Sequence, residues 1–128
     1  MTGADPAGAA EAAAPRVYGI ANCDTVKRAR AWLADQGQPA RFHDFAKAGV
    51  PEARLDAWLE SAGWERLLNR RGTTWRRLPE STRDAVVDAT AARAVLMAHA
   101  SAIKRPVVEW PDGAITVGFD ADEFARHA

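Results

Sequence analysis

Near the start of the chain, a strand-like run of residues is followed at once by apolar residues at helical spacing and then by a second strand-like run. This order leaves few ways for the chain to fold. Residues 17–20 form a short β-prone run. Val26, Ala29 and Leu33 then recur at helical spacing, and residues 40–45 form a second β-prone run. A strand, a helix and a strand in this order require a crossover connection, which implies a parallel pair of strands.

The rest of the chain is predicted to be mainly helical until a hairpin near its end. Helical segments are expected at residues 51–63, 64–78, 79–89 and 92–102, and the second of these should break at Gly72. Residues 107–110 and 114–117 are β-prone, and the turn 111–113 between them consists of Pro, Asp and Gly. Asp120 with Glu123 resembles a cap for one last helix.

This pattern predicts an α/β protein with a small mixed sheet. The order of elements is compatible with a thioredoxin-like sheet that carries an inserted helical subdomain, at residues 46–100. The chain has 128 residues, 48% of them hydrophobic, which suits a single domain over residues 16–128. Residues 1–15 are mostly Ala, Gly and Pro and lack the features of a signal peptide, so we expect a disordered leader.

Composition argues against several classes of function. Lys+Arg and Asp+Glu each number 17, and this zero net charge gives no overall attraction to nucleic acid or to a membrane surface. No apolar run is long enough to span a membrane. A single cysteine forbids an intrachain disulfide or a zinc–cysteine cluster, and the three histidines lack metal-ligand spacing. We therefore expect a cytoplasmic protein without a metal, and nothing predicts more than a monomer.

Cys23 lies between the first predicted strand and the helix that follows it. Unpaired N–H groups at a helix start favour an anion, so a thiol there can have a lowered pKa and react as a thiolate. Asn22 could present its amide to the same anion, whereas Asp24 opposes a thiolate and Lys27 offsets that effect. The alternative is a buried structural cysteine, since free cysteine is among the most buried residue types. From position alone, both interpretations stay open.

Two segments could supply positive charge to such an anion. Arg71 stands in NRRGTTWRR beside Gly72, and Arg105 stands in IKRPVV beside Pro106. The planar fork of arginine suits oxyanions and carboxylates. The alternative for each cluster is a solvated face, which we favour for Arg76 and Arg77. Pro106 precedes a predicted strand and is a candidate for a cis peptide bond.

Three motifs in this order resemble one known family. YGIANCDTVKRARAWL, LLNRRGTTWR and IKRPVV are similar to the arsenate reductase-like branch of the thioredoxin-fold superfamily, and most similar to its YffB-type subgroup. The resemblance covers nearly everything after the leader, and the family is related to Spx/MgsR-type regulators. It implies a thioredoxin-like core with a helical insertion, and Cys23 as the redox-active nucleophile.

The resemblance also implies roles for residues around the cysteine. Arg105 matches the arginine of the family's R-P motif, Pro106 matches its cis-proline, and Arg71 matches the arginine of an N-x-R-G-like segment. In glutaredoxin-coupled arsenate reductases, glutathione and glutaredoxin resolve the adduct on the matching cysteine. A chain without a second cysteine needs such an external thiol, so glutathione is the expected co-substrate, glutaredoxin is a second candidate partner, and no bound cofactor is expected.

The sequence departs from the arsenate reductase pattern at three positions. Gly118 stands where those enzymes have a further arginine, Gly19 where the best-known members have a histidine, and Asn69 where their central arginine aligns. We therefore expect a glutathione-dependent thiol reductase rather than a dedicated arsenate reductase. The predicted site consists of the catalytic Cys23 and the substrate- or anion-binding residues Asn22, Arg71, Arg105 and Pro106.

Three alternatives stay open. One is a glutaredoxin-coupled arsenate reductase. Another is a non-catalytic, Spx-like adaptor that binds RNA polymerase. The redox switch of such regulators is usually a C-x-x-C pair, and Val26 stands where the second cysteine would be, so this chain cannot form that switch. The third is a relative without activity.

Overall fold

The structure, a computed structural model, describes residues 14–128 and divides into two compact units. The first unit combines the described residues up to Asp44 with Arg105–Ala128, and the second unit is Phe45–Lys104. The helical part of the chain therefore forms a unit of its own between two segments of the sheet-containing unit.

The predicted leader, residues 1–15, lies outside the described residues except for its last two. Ala14 and Pro15 are buried. The carbonyl oxygen of Pro15 accepts a hydrogen bond from the backbone N–H of Arg41 at 2.9 Å. The chain is thus held beside the second strand just before the first strand begins.

Strands lie near both ends of the described chain, and helices fill its middle. In chain order the elements are β1 (Arg16–Gly19), α1 (Asp24–Asp35), β2 (Arg41–Asp44), α2 (Phe45–Ala48), α3 (Glu52–Ala62), α4 (Trp64–Leu67), α5 (Thr73–Arg77), α6 (Glu80–Asp84), α7 (Ala89–Ala98), a 3₁₀ turn (Ala100–Ala102), β3 (Val107–Glu109), β4 (Ile115–Val117) and α8 (Ala121–His127). None of these described helices has the length and apolar character needed to cross a membrane.

The four strands form one mixed sheet in the order β2-β1-β3-β4. β1 and β2 are parallel, as the strand–helix–strand pattern predicts. β3 is antiparallel to β1 and forms a hairpin with β4. The predicted α/β class with a mixed sheet is confirmed.

The core of the first unit lies between one face of the sheet and the helices α1 and α8. Alternate strand residues point to this face, because successive side chains of a strand alternate sides. Phe124 of α8 stands at its centre, with edge-on ring contacts to Trp110 and Phe119 at 4.9 Å and to Trp32 at 5.7 Å. The buried members of the cluster are Val17, Ala29, Leu33, Val108, Trp110 and Phe124.

The predicted cap of the last helix is confirmed. The side chain of Asp120 accepts hydrogen bonds from the N–H groups of Asp122 and Glu123, at 2.9 Å and 3.1 Å.

At the other end of α8, His127 Nδ1 lies 2.7 Å from Asp112 Oδ2 in the hairpin turn, and the His127 ring stacks on Trp110. The His127 contacts therefore fasten the end of the last helix to the hairpin.

The contact between His127 and Asp112 makes the stability of the fold depend on pH. The pKa of Asp112 is lowered by His127 and by the Ala114 N–H, so the contact stabilises the fold above the unfolded-state pKa of about 3.9 and is lost as pH falls through the lower folded-state value. Asp112→Asn should lower the melting temperature by about 1–3 °C at pH 7, and the difference should vanish in acid. Thermal unfolding across pH measures this, with Glu60→Gln as a control of equal charge change; a difference that persists in acid would contradict it.

The second unit differs from the sequence prediction at two boundaries. Phe45 does not extend β2 but begins α2, where its ring packs near the buried Trp58 at 6.1 Å. The predicted segment 64–78 is interrupted earlier than Gly72. Helix α4 ends at Leu67 because the next residues pair with the segment before β3, through a bridge between Leu68 and Ile103.

Candidate functional site

Cys23 directly precedes the longest described helix. It is the N-cap residue of the 12-residue helix α1, with extended backbone angles of −137° and 124°. Its carbonyl oxygen accepts the first helical hydrogen bond, from the N–H of Lys27 at 2.9 Å. Cys23 therefore stands at a helix start, as predicted. Its thiol is partly exposed, so Cys23 is not a buried structural cysteine.

Gly19 lets α1 approach the end of β1. A Cβ atom at Gly19 would lie 2.8 Å from Val26 Cγ2, which is closer than real Cβ contacts. Val26 is fully buried and β-branched, so it cannot swing aside cheaply. A residue with a side chain at position 19 would push the first turn of α1, and with it Cys23, away from the sheet.

The sheet brings Arg105 to Cys23 although 81 residues separate them in the sequence. β1 and β3 are antiparallel, with Tyr18 opposite Val107, so the chain leaving β1 and the chain entering β3 meet at one edge. Cys23 follows β1 and Arg105 precedes β3. The guanidinium of Arg105 consequently lies beside the thiol.

The surroundings of Cys23 favour its thiolate. Burial by itself raises the pKa of the thiol, but the backbone N–H of Val26, the Arg105 guanidinium and the N–H of Thr25 together lower that pKa below its ordinary value. The Cys23 side chain makes no capping hydrogen bond of standard geometry to the helix start. A thiolate at this position is a nucleophile that remains accessible to solvent.

Removing the Arg105 charge is expected to shift the reactivity of Cys23 to higher pH. In Arg105→Gln, the iodoacetamide rate should fall at low pH, whereas its plateau at high pH should rise. For each tenfold loss of thiolate, the nucleophilicity of the more basic thiolate recovers about threefold, so the net loss at low pH is a few-fold.

This prediction is checked by alkylation rates from pH 5 to 10, followed by intact mass because Cys23 is the single cysteine. Arg28→Gln, on the exposed side of α1, removes the same charge as a control. Equal shifts in the two variants would show that Arg105 has no specific role.

Pro106 and Gly118 shape the backbone next to Arg105. The Arg105–Pro106 peptide bond is cis, as proposed from the sequence. The buried Pro106 accepts a hydrogen bond at its carbonyl oxygen from the Gly118 N–H at 2.9 Å. Gly118 is buried and has a φ of 86°, a conformation that side chains disfavour. The arginine that arsenate reductases are expected to have would therefore be strained at this position.

The remaining predicted residues have more exposed positions. Asn22 is exposed in the bend before α1, and Asp24 and Lys27 are exposed on its first turn. Arg71 belongs to the second unit and is exposed in the turn before α5. The structure thus places Cys23 and Arg105 together within one unit, and it places Arg71 in the other.

The turn that carries Arg71 is built around Asn69. The Asn69 side chain accepts a hydrogen bond from the Arg71 N–H at 3.2 Å, and the Asn69 N–H donates to the Ala102 carbonyl at 2.8 Å. A Cβ at Gly72 would lie 2.8 Å from Asn69 Nδ2, so a side chain at position 72 would force this amide to shift. Asn69, which the sequence marks only as a missing arginine, is a structural residue of the turn.

Within the described residues, no group of three or more His, Cys, Asp and Glu side chains could hold a metal ion. The groups that the structure places around the Cys23 thiol are the Arg105 guanidinium and the N–H groups of Val26 and Thr25. Sequence reasoning did not identify Val26 and Thr25 as donors to the thiol, because they act through their backbone N–H groups, which every residue type except proline has. Only the expectation of a helix start at Cys23 points to them.

The four-stranded mixed sheet with its inserted helices is the thioredoxin-like fold of arsenate reductase-like proteins. The chain belongs to the ArsC family, whose model matches residues 18–127. The predicted resemblance is confirmed, and so is the thioredoxin-like fold with its inserted helical subdomain.

Individual relatives agree with this assignment. A solved structure named YffB protein has a TM-score of 0.83 and 40% identity, over 88% of this chain and 97% of that one. An arsenate reductase (ArsC) related protein from Brucella melitensis has a TM-score of 0.70 and 46% identity, over 89% and 93%. An uncharacterized protein of Haemophilus influenzae is 41% identical over 84% of this chain and 93% of its own length.

Proposed function

We propose that the protein is a glutathione-dependent thiol reductase in which Cys23 is the nucleophile. One observation carries the proposal: a partly exposed thiol at the start of α1, with its pKa lowered by the N–H groups of Val26 and Thr25 and by the Arg105 guanidinium. Such a thiol is ionised more readily than a free cysteine, and the thiolate is the form that attacks disulfides.

The proposed reaction has two exchange steps that balance. The Cys23 thiolate attacks the glutathione sulfur of a mixed disulfide, a new S–S bond forms, and the substrate leaves as a thiolate that takes a proton from water. A second glutathione thiolate then attacks the Cys23 adduct, which releases oxidised glutathione and regenerates the Cys23 thiolate. The incoming glutathione is the reductant: its sulfur is oxidised from the thiol to the disulfide level while the substrate sulfur is reduced to a thiol, and the other sulfur of the oxidised glutathione comes from the mixed disulfide.

An external thiol is needed because the chain has no second cysteine. The residue one turn after Cys23 is Val26, which is fully buried, so no group of the chain can resolve the adduct from there. Glutathione is the proposed resolving thiol, and glutaredoxin is a second candidate. Arg105 is proposed to hold the anionic part of the substrate, with Asn22 and Arg71 as further candidates.

Arsenate reduction is the weaker alternative for this site. The described residues hold one arginine beside the thiol, and the expected further arginine is replaced by Gly118, which is buried with positive φ. An oxyanion of arsenate's charge is best held by several cationic forks. Thiol exchange needs only the activated sulfur and one anion-binding group.

A substrate panel with glutathione tests the proposal. Reduction of a glutathionylated protein, a small disulfide and arsenate should be compared, each with and without glutaredoxin. We expect turnover of the glutathionylated protein and little of arsenate, together with a Cys23 adduct that carries one glutathionyl group in intact mass spectra. Turnover of arsenate alone, or the absence of any adduct, would contradict the assignment.

A further inference from the structure

A second group of cationic side chains lies on the first unit, on β1 and β2. The parallel register sets Arg16 directly opposite Arg41 and Tyr18 directly opposite His43. Residues two apart on a strand share one face, so all four side chains lie on the same face of the sheet. The opposite face carries Val17 and the core of the unit.

The four side chains border a cleft of about 180 Å³, which Phe42 also lines. A water molecule takes up about 30 Å³ in the liquid, so the cleft has room for a small oxyanion with some of its hydration. Arg16 and Arg41 are exposed, Tyr18 is buried and His43 is partly buried. The cleft therefore has a polar, cationic rim and a floor of aromatic and imidazole rings.

The pairing of the arginines is unfavourable by itself. Like charges directly opposite each other on neighbouring strands destabilise a sheet. Glu109 of β3 lies on the other side of Arg16, and the Tyr18 hydroxyl donates to Glu109 Oε1 at 3.0 Å. Glu109 thus offsets Arg16 from one side, while Arg41 faces Arg16 from the other. An anion between the two guanidinium groups would turn the repulsion into a bridge.

We propose that the cleft between Arg16 and Arg41 binds a small phosphate dianion, either free phosphate or a phosphate monoester. A tetrahedral dianion has enough oxygens to meet two planar forks at once, whereas a monocarboxylate satisfies only one. Arg16 and Arg41 begin their strands, whereas Cys23 follows the end of β1. The cleft is therefore a separate site from the thiol, and its proposal does not depend on the proposed reductase activity.

Titration of the full chain with inorganic phosphate at low ionic strength, followed by backbone amide NMR, tests this site. Glycerol phosphate tests the monoester, and acetate is the monocarboxylate control. We expect saturable shifts at residues 16–18 and 41–43 with both phosphates and at least about tenfold weaker binding of acetate. Arg16→Gln and Arg41→Gln should each weaken phosphate binding at least about tenfold.

Two control variants distinguish binding in this cleft from a general charge effect and from binding beside Cys23. Arg28→Gln removes an equal charge from α1, and Arg105→Gln removes the cation beside Cys23; both should keep the β1 and β2 shifts within about twofold of the unchanged protein. The dispersed amide spectrum of each variant reports that it is folded, and Arg41→Lys, which keeps the charge but loses the fork, should bind with intermediate affinity. Shifts confined to the Cys23 loop, absence of saturation, or equal losses in Arg28→Gln would overturn the proposal.

Discussion

Cys23→Ser is expected to reduce glutathionylated substrates no faster than glutathione does alone. A serine hydroxyl at this position is not ionised near neutral pH, so the nucleophile is lost, and removing a covalent nucleophile typically costs at least ~10³-fold in rate. The measurement is the rate of release of the substrate thiol at fixed glutathione, with the unchanged protein and the variant at equal concentration.

The variant should remain folded, because serine is close to cysteine in size and position 23 is only partly buried. A melting temperature within a few degrees of that of the unchanged protein checks this. If Cys23→Ser retained a substantial part of the activity, the thiol could not be the reacting group, whatever its pKa.

Phe124→Ala is expected to have the largest effect on stability among the described aromatic positions of the first unit. Phe124 is fully buried and contacts Trp32, Trp110 and Phe119, so its truncation leaves a cavity at the centre of the core. Such a change costs about 3–5 kcal/mol, a large part of the ~5–15 kcal/mol that stabilises a typical domain. The melting temperature should fall by roughly 10–20 °C.

Phe119→Ala is the matched control, since Phe119 is only partly buried and touches the same ring. It should cost less than half as much, because the site is already open to water and leaves a smaller cavity. Urea unfolding at 25 °C measures both free energies of unfolding. Equal losses in the two variants would mean that Phe124 is not the centre of the core.

The order of elements in the first unit could be predicted from the sequence because each element has its own periodicity. The apolar residues Val26, Ala29 and Leu33 at helical spacing all proved to be fully buried on α1. The Pro-Asp-Gly turn and the cap at Asp120 are local signals that need no tertiary information. Boundaries between elements carry a weaker local signal: Phe45 suits a strand as well as a helix, and its packing near Trp58 decides the outcome.

The site could be predicted only in part. The place of Cys23 at a helix start follows from local sequence, but its proximity to Arg105 depends on the register of β1 against β3, which the sequence alone does not fix. In the sequence, Gly19 stands out only because related enzymes have a histidine there. The structure shows that glycine is needed at this position because α1 approaches β1 closely at Val26. The catalytic role of Cys23 and the binding role of Arg105 stay predictions.

The pairing of Arg16 with Arg41 likewise could not be predicted from the sequence. The two residues are 25 positions apart and lie outside the three sequence motifs, and only the parallel register places them opposite each other. The sequence predicts strands at residues 17–20 and 40–45, which leaves Arg16 just outside the first, and a shift of one residue in the pairing would place the two side chains on different faces.

The activated state of Cys23 is the central claim, and the rate of its alkylation by iodoacetamide as a function of pH tests it most directly. The unchanged protein is fully informative, since its single cysteine is the only thiol that can react. We predict a midpoint below the value of about 8.5 for an unperturbed cysteine, because the helix N–H groups and Arg105 stabilise the thiolate. A midpoint at or above about 8.5 would show that the site does not activate the thiol and would contradict the account.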